Sequence, residues 1–177
     1  MLDELLKTSL SHNLIVVLLA MLPINELRGT LPLAVHVLNM PWYQAFYLCI
    51  IGNLIPVPFL LLFFGAGSRL VQKVPIGKRF VDWLLTRTAK KTARFGKYKF
   101  SGLLVFVAIP LPLTGAWTAS LAAYILGMRF WPAFLSIALG VLGAGIIVTA
   151  LTLLGWIGAG IALVALIVIV GLGAWKA

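Results

Sequence analysis

Pro23-Ile-Asn-Glu-Leu-Arg-Gly-Thr-Leu-Pro32 is the stretch on which the reading of this chain turns. Before it, Leu14 to Ile24 is apolar, about 16 Å as a helix and so only half of a roughly 30 Å hydrocarbon core. After it, Leu33 to Leu38 is apolar again. Two prolines, a glycine and an acid–base pair therefore interrupt what would otherwise be one hydrophobic segment. Such a segment is either a re-entrant hairpin or a broken spanning helix.

The surroundings decide the solvent. Of the 177 residues, 62% are hydrophobic and 10% charged, against about 25% charged in soluble domains. Apolar runs cover most of the length, which is the pattern of an integral membrane protein. Gln44 to Ala66 is long enough to cross, although Asn53, Pro56 and Pro58 interrupt it and predict a kink. Phe130 to Leu154 and Ile157 to Trp175 are two further spans, with Gly140, Gly143 and Gly145 offering close helix contact. No cleavable leader is legible at the N-terminus, and the chain is expected to be retained whole.

Net charge is +10, but ten of the fourteen basic residues lie between Arg69 and Lys99. That placement reads as topology rather than nucleic-acid binding: cytoplasmic loops carry excess Lys and Arg. The segment includes Phe80, Trp83, Leu84, Phe95 and Tyr98, so it is expected to form an amphipathic helix on the cytoplasmic face of the plasma membrane, touching lipid head groups. The lone Cys49 offers neither a disulfide nor a cysteine-based metal site.

The first pattern then recurs. Gly102 to Ile109 is a second apolar half-segment that runs into Pro110-Leu-Pro-Leu-Thr-Gly-Ala-Trp117, after which Thr118 to Leu126 is small and apolar. Val37-Leu-Asn-Met-Pro-Trp-Tyr-Gln-Ala-Phe46 aligns with Ile125-Leu-Gly-Met-Arg-Phe-Trp-Pro-Ala-Phe134 at a constant offset, and Gly52 and Leu54 continue onto Gly140 and Leu142. A two-residue slip brings Gly29 onto Gly115. Repeats with matching broken segments point to a binding site where the two copies meet.

The expected fold is therefore an all-α membrane protein in one domain. Residues 1–13 form an N-terminal interfacial segment; residues 14–66 and 101–154 form two inverted repeats, each a re-entrant helical hairpin plus a transmembrane helix. Residues 67–100 form the basic loop and residues 156–175 an extra C-terminal transmembrane helix. Charge bias favours re-entrant over spanning hairpins by a single basic residue, and the half-length arms point the same way. The hairpin breaks are placed at Pro23, Gly29, Pro32, Pro110 and Pro112.

Glu26 is the only acidic residue between Glu4 and Asp82, and Arg28 the only basic one between Lys7 and Arg69. Ionisable groups at membrane depth are costly and so mark a site, here with Arg28 on an anionic substrate group and Glu26 taking up and releasing a proton. The plainer reading is a Glu–Arg pair that caps a helix end. Asn25, His36 and Asn53 are further polar candidates. In the second break Thr114, Gly115, Trp117 and Thr118 could bind an anion through hydroxyls and helix N-terminal N–H groups, or could simply pack. No catalytic set and no metal-ligand spacing occurs outside the loop, so no enzyme, cofactor or metal is expected.

Glu-Leu-Arg-Gly-Thr-Leu-Pro-Leu at 26–33 and Ile-Pro-Leu-Pro-Leu-Thr-Gly-Ala-Trp-Thr-Ala-Ser-Leu-Ala-Ala at 109–123 resemble the signatures of the small multidrug export proteins. The architecture is also similar, more distantly, to the DedA (SNARE-associated) superfamily. That resemblance implies inverted repeats with two re-entrant hairpins, and members that act as polyprenyl-phosphate flippases or lipid scramblases. It also departs at one place: where DedA proteins have an arginine soon after the hairpin proline, this chain has Leu-Thr-Gly-Ala at 113–116, leaving only Arg28 for a substrate's charge. The combined expectation is a small proton-coupled transporter of an amphipathic or lipid-like substrate, forming a homodimer. A DedA-like flippase or a non-transporting membrane assembly factor are the rivals.

Overall fold

The computed structural model describes residues 9–71, 98–110 and 114–175. Every element among them is helical: α1 (Ser9–Met21), α2 (Glu26–His36), α3 (Trp42–Leu54), α4 (Pro56–Val71), α5 (Lys99–Ala108), α6 (Ala116–Ile125), α7 (Phe130–Leu153) and α8 (Trp156–Trp175). Most of the basic segment, the N-terminal residues 1–8 and Pro112 lie outside the described residues, and with them the expectation of an amphipathic helix there.

Two runs are long and apolar enough to cross a membrane, Trp42–Phe64 across α3 and α4, and Phe130–Leu153 in α7. The first is continuous because Ile55, at the joint, keeps helical angles (φ −53°, ψ −47°), so Pro56 and Pro58 withdraw two N–H donors without reversing the chain. In α7 Pro132 costs nothing, since it lies in the first turn, where N–H groups have no helical partner. The arms around the breaks are shorter. At 13 residues for α1 and 10 for α5 they reach about 20 Å and 15 Å.

The first break differs from its sequence reading. Only residues 22–25 leave the helix, and Gly29 and Pro32 fall inside α2. Gly29 N–H is already bonded to Asn25 O at 2.9 Å, and Pro32, seven residues into α2, removes one helical bond without ending the helix. The helix of the first arm also begins earlier than its apolar run: Ser9 to Asn13 extend α1, and Asn13 Oδ1 accepts a 2.8 Å bond from Gln44 Nε2 of α3.

Apolar side chains face both ways. Val16, Leu27, Leu31, Cys49, Val57, Leu103, Val107, Ile137 and Val141 are fully or almost fully buried, while Phe59, Phe63, Leu135, Ile146 and Trp156 stand exposed. A helix that is hydrophobic on its outer face needs an apolar solvent. Much of the core is alanine, and Gly52, Gly140 and Gly145 are buried beside it, which lets backbones approach, as helices in lipid require. Gly52 and Gly140, equivalent in the internal alignment, make equivalent approaches. A Cβ on Gly52 would meet Val17 O at 2.5 Å and Ala20 Cβ at 2.8 Å in α1; one on Gly140 would meet Val107 Cβ at 2.6 Å and Leu104 O at 2.9 Å in α5. The turns that lead into α3 and α7 also match, with Asn39 and Gly127 in the left-handed region at φ 50° and 62°.

The packing places the breaks. α1 lies on α3 and α5 on α7, while α2 crosses to pack on α7 and α6 crosses to pack on α4. Each break's second arm therefore rests against the long helix of the other half, and the two breaks are brought to one place.

Candidate functional site

Residues 22–25 turn the chain so that Glu26 opens α2 with φ 45°, its N–H bonded to Leu22 O at 3.0 Å. A non-glycine residue in the left-handed region costs on the order of 1 kcal/mol and persists only where surroundings enforce it. What enforces it is the second break. The Glu26 carboxylate, 7% exposed as a residue, accepts backbone N–H bonds from Ala116 and Trp117, the first two residues of α6. A carboxylate there satisfies donors that no helical carbonyl can reach and complements the positive end of the helix dipole. Gly115 makes the approach available: a Cβ at that position would fall on the carboxylate.

Arg28 serves the opposite end. Its Nη2 donates to Val107 O (3.2 Å) and Ile109 O (3.4 Å), where α5 stops, and to Thr114 O (3.1 Å), just before α6. Arg28 Nη1 stands 3.8 Å from Glu26 Oε2, so the two charges also face each other. Thr114 Oγ1 ties the same turn by donating to Ile109 O at 2.9 Å. The capping alternative raised by the sequence is thus what this geometry contains, with one addition: the helix ends that are capped belong to the other break.

A third bond runs the other way. Trp117 Nε1 donates to Met21 O at 3.0 Å, capping the end of α1. The sequence marks Trp117 as a substrate contact or a packing residue. Its role as a cap to the first break is legible from no spacing, because it depends on which helices cross.

The other candidates are dispersed. Thr118 Oγ1 donates to Gly115 O at 3.1 Å, inside its own turn. Asn25 lies against Gly29, with its nearest side-chain atoms 3.7 Å from where a Cβ would stand. His36, at the far end of α2, pairs its Nε2 with Thr152 O at 3.2 Å near the end of α7, away from the breaks. Asn53 is buried in α3 with Oδ1 making no hydrogen bond. Thr30, which the sequence reading passed over, is fully buried one turn from Glu26 with Oγ1 equally unbonded. Its signal was its place in the Glu-Leu-Arg-Gly-Thr motif, four residues from Glu26 on the same side of a helix. Among the described residues no group of three or more His, Cys, Asp or Glu could hold a metal.

Fold and site together define an all-helical membrane protein with an acid–base pair held between two broken segments. Residues 26–147 match the model of the family described as Putative small multi-drug export protein, and the chain belongs to that family. No curated protein and no solved structure matches it.

Proposed function

We propose that the chain is a small membrane transporter that moves an amphipathic or lipid-like substrate by alternating access, coupled to protons. Glu26 is the proton site, and Arg28 with the Thr114–Trp117 turn contacts the substrate. The observation that carries this reading is the meeting of a buried carboxylate and a guanidinium with the cut ends of α5 and α6. Ionisable groups at such depth are rarely kept for stability alone. The family's description favours export over catalysis.

The same reading takes the two halves as inverted repeats with re-entrant hairpins. The short arms α1 and α5 support it, as do the matched close approaches at Gly52 and Gly140. It sets the 69–99 loop on the cytoplasmic side of the plasma membrane by its charge.

A lipid flippase or scramblase is the second reading, favoured by one feature: the first break opens on apolar surface, with Ile24 92% and Leu22 49% exposed. Vesicles containing the purified chain separate the two. An amphipathic rhodamine dye under an imposed pH gradient, and a fluorescent phosphatidylglycerol followed between leaflets, are the two probes. Gradient-dependent dye movement that is lost in Glu26→Gln and Arg28→Ala supports the exporter. Leaflet exchange without dye movement supports the flippase. Neither movement contradicts transport and leaves an assembly factor.

A further inference from the structure

The contacts between the breaks are arranged reciprocally. Arg28, in the first turn of α2, caps the end of α5, the first arm of the other break. Trp117, in the first turn of α6, caps the end of α1, again the first arm of the other break. Glu26 then closes the start of α6 itself. Both halves use one plan: the leading turn of a second arm supplies the donor for the opposite first arm. The chemistry is unequal, a guanidinium in one half and an indole in the other, which explains why the alignment of the two breaks conceals it.

We infer that these contacts form a clasp between the two breaks, and that its release is the step that opens the path between them. In a medium without water, carbonyls at a cut helix end must keep a partner. Arg28 and Trp117 can therefore leave Val107 O and Met21 O only when water or polar groups of a substrate replace them. The clasp is held shut by dryness and loosened by what enters. Gly115 is its keyhole, since a side chain at that position displaces Glu26 from the start of α6. The opening step rests on the transport reading; the clasp itself does not.

The clasp is tested by thermal unfolding of the full chain in detergent. Gly115→Ala is measured alone and together with Glu26→Ala, which vacates the space the new methyl group needs. A loss of several degrees in the native background, and little or none beside Glu26→Ala, is the expected coupling. If Gly115→Ala alone does not fold, rescue by Glu26→Ala shows the same coupling. Equal losses in both backgrounds overturn the clasp.

A second measurement reads opening. In a Cys49→Ala chain carrying Thr30→Cys, a water-soluble maleimide labels slowly, because position 30 is fully buried. Trp117→Phe keeps an aromatic side chain, though a smaller one, and removes the N–H, and labelling becomes about tenfold faster. An unchanged rate overturns the gate. Coupling and faster labelling in a protein that moves no probe in vesicles keep the clasp and remove the transport reading.

Discussion

The two breaks are copies in outline and opposites in chemistry. The first is only residues 22–25 and leads into the turn of α2 that carries the acid and the base, where Glu26 is strained into a left-handed conformation and Gly29 has room. The second, between α5 and α6, carries no charge in its sequence and has no room at Gly115. One supplies side chains and the other supplies bare helix ends. A buried charged site is therefore divided between two segments far apart in sequence, each incomplete without the other: the pair without helix ends to cap would be unsatisfied charge, and the ends without the pair would be unsatisfied backbone.

The sharpest way to break this division is to remove its base. Arg28→Ala removes a donor from three carbonyls, of which Ile109 O keeps Thr114 Oγ1, and leaves Glu26 facing no cation, a loss of about 3 kcal/mol. Denaturation of the purified chain in mild detergent measures it, and a loss near zero would mean that the bonds are incidental. Next come Gly52→Ala and Gly140→Ala. Each forces a Cβ into an opposing helix, so each costs about 1 to 3 kcal/mol, and the two losses agree within error if the halves are packed alike. A large loss at one and none at the other would undo the equivalence.

Smallest is Gly29→Ala. The nearest atom to its Cβ would be 3.7 Å away, and alanine gains helix propensity of about 0.5 to 1 kcal/mol over glycine, so the melting temperature holds or rises slightly. Its alignment partner Gly115 behaves in the opposite way, so this substitution shows that the aligned glycines do unlike work.

Much of this was legible before the structure. Long apolar runs and half-length arms follow from the one-dimensional pattern, and the membrane family follows from the motifs at 26–33 and 109–123. Glu26 and Arg28 stood out because any charge in such a sequence must be accounted for. The extent of the first break was not legible. Proline and glycine mark where a helix can stop, whereas Pro32 and Gly29 show that it need not, once the surrounding residues satisfy the helix and α2 packs on α7. Nor was the partner of each candidate. His36 lies ten residues from Glu26 in sequence, yet at the opposite end of α2 it caps α7 instead of joining the site. Trp117 looked like an aromatic near a turn, and only the crossing of helices reveals which carbonyl its N–H meets.

The account stands on the claim that the charged and uncharged breaks work as one unit, and movement of the rhodamine dye into vesicles by Gly115→Ala tests it most directly. This substitution adds one methyl group at the break without charge and replaces neither ionisable residue, acting on Glu26 only by displacing its carboxylate. The account predicts that dye movement falls to the level of Glu26→Gln. Wild-type movement by a folded Gly115→Ala chain would contradict it.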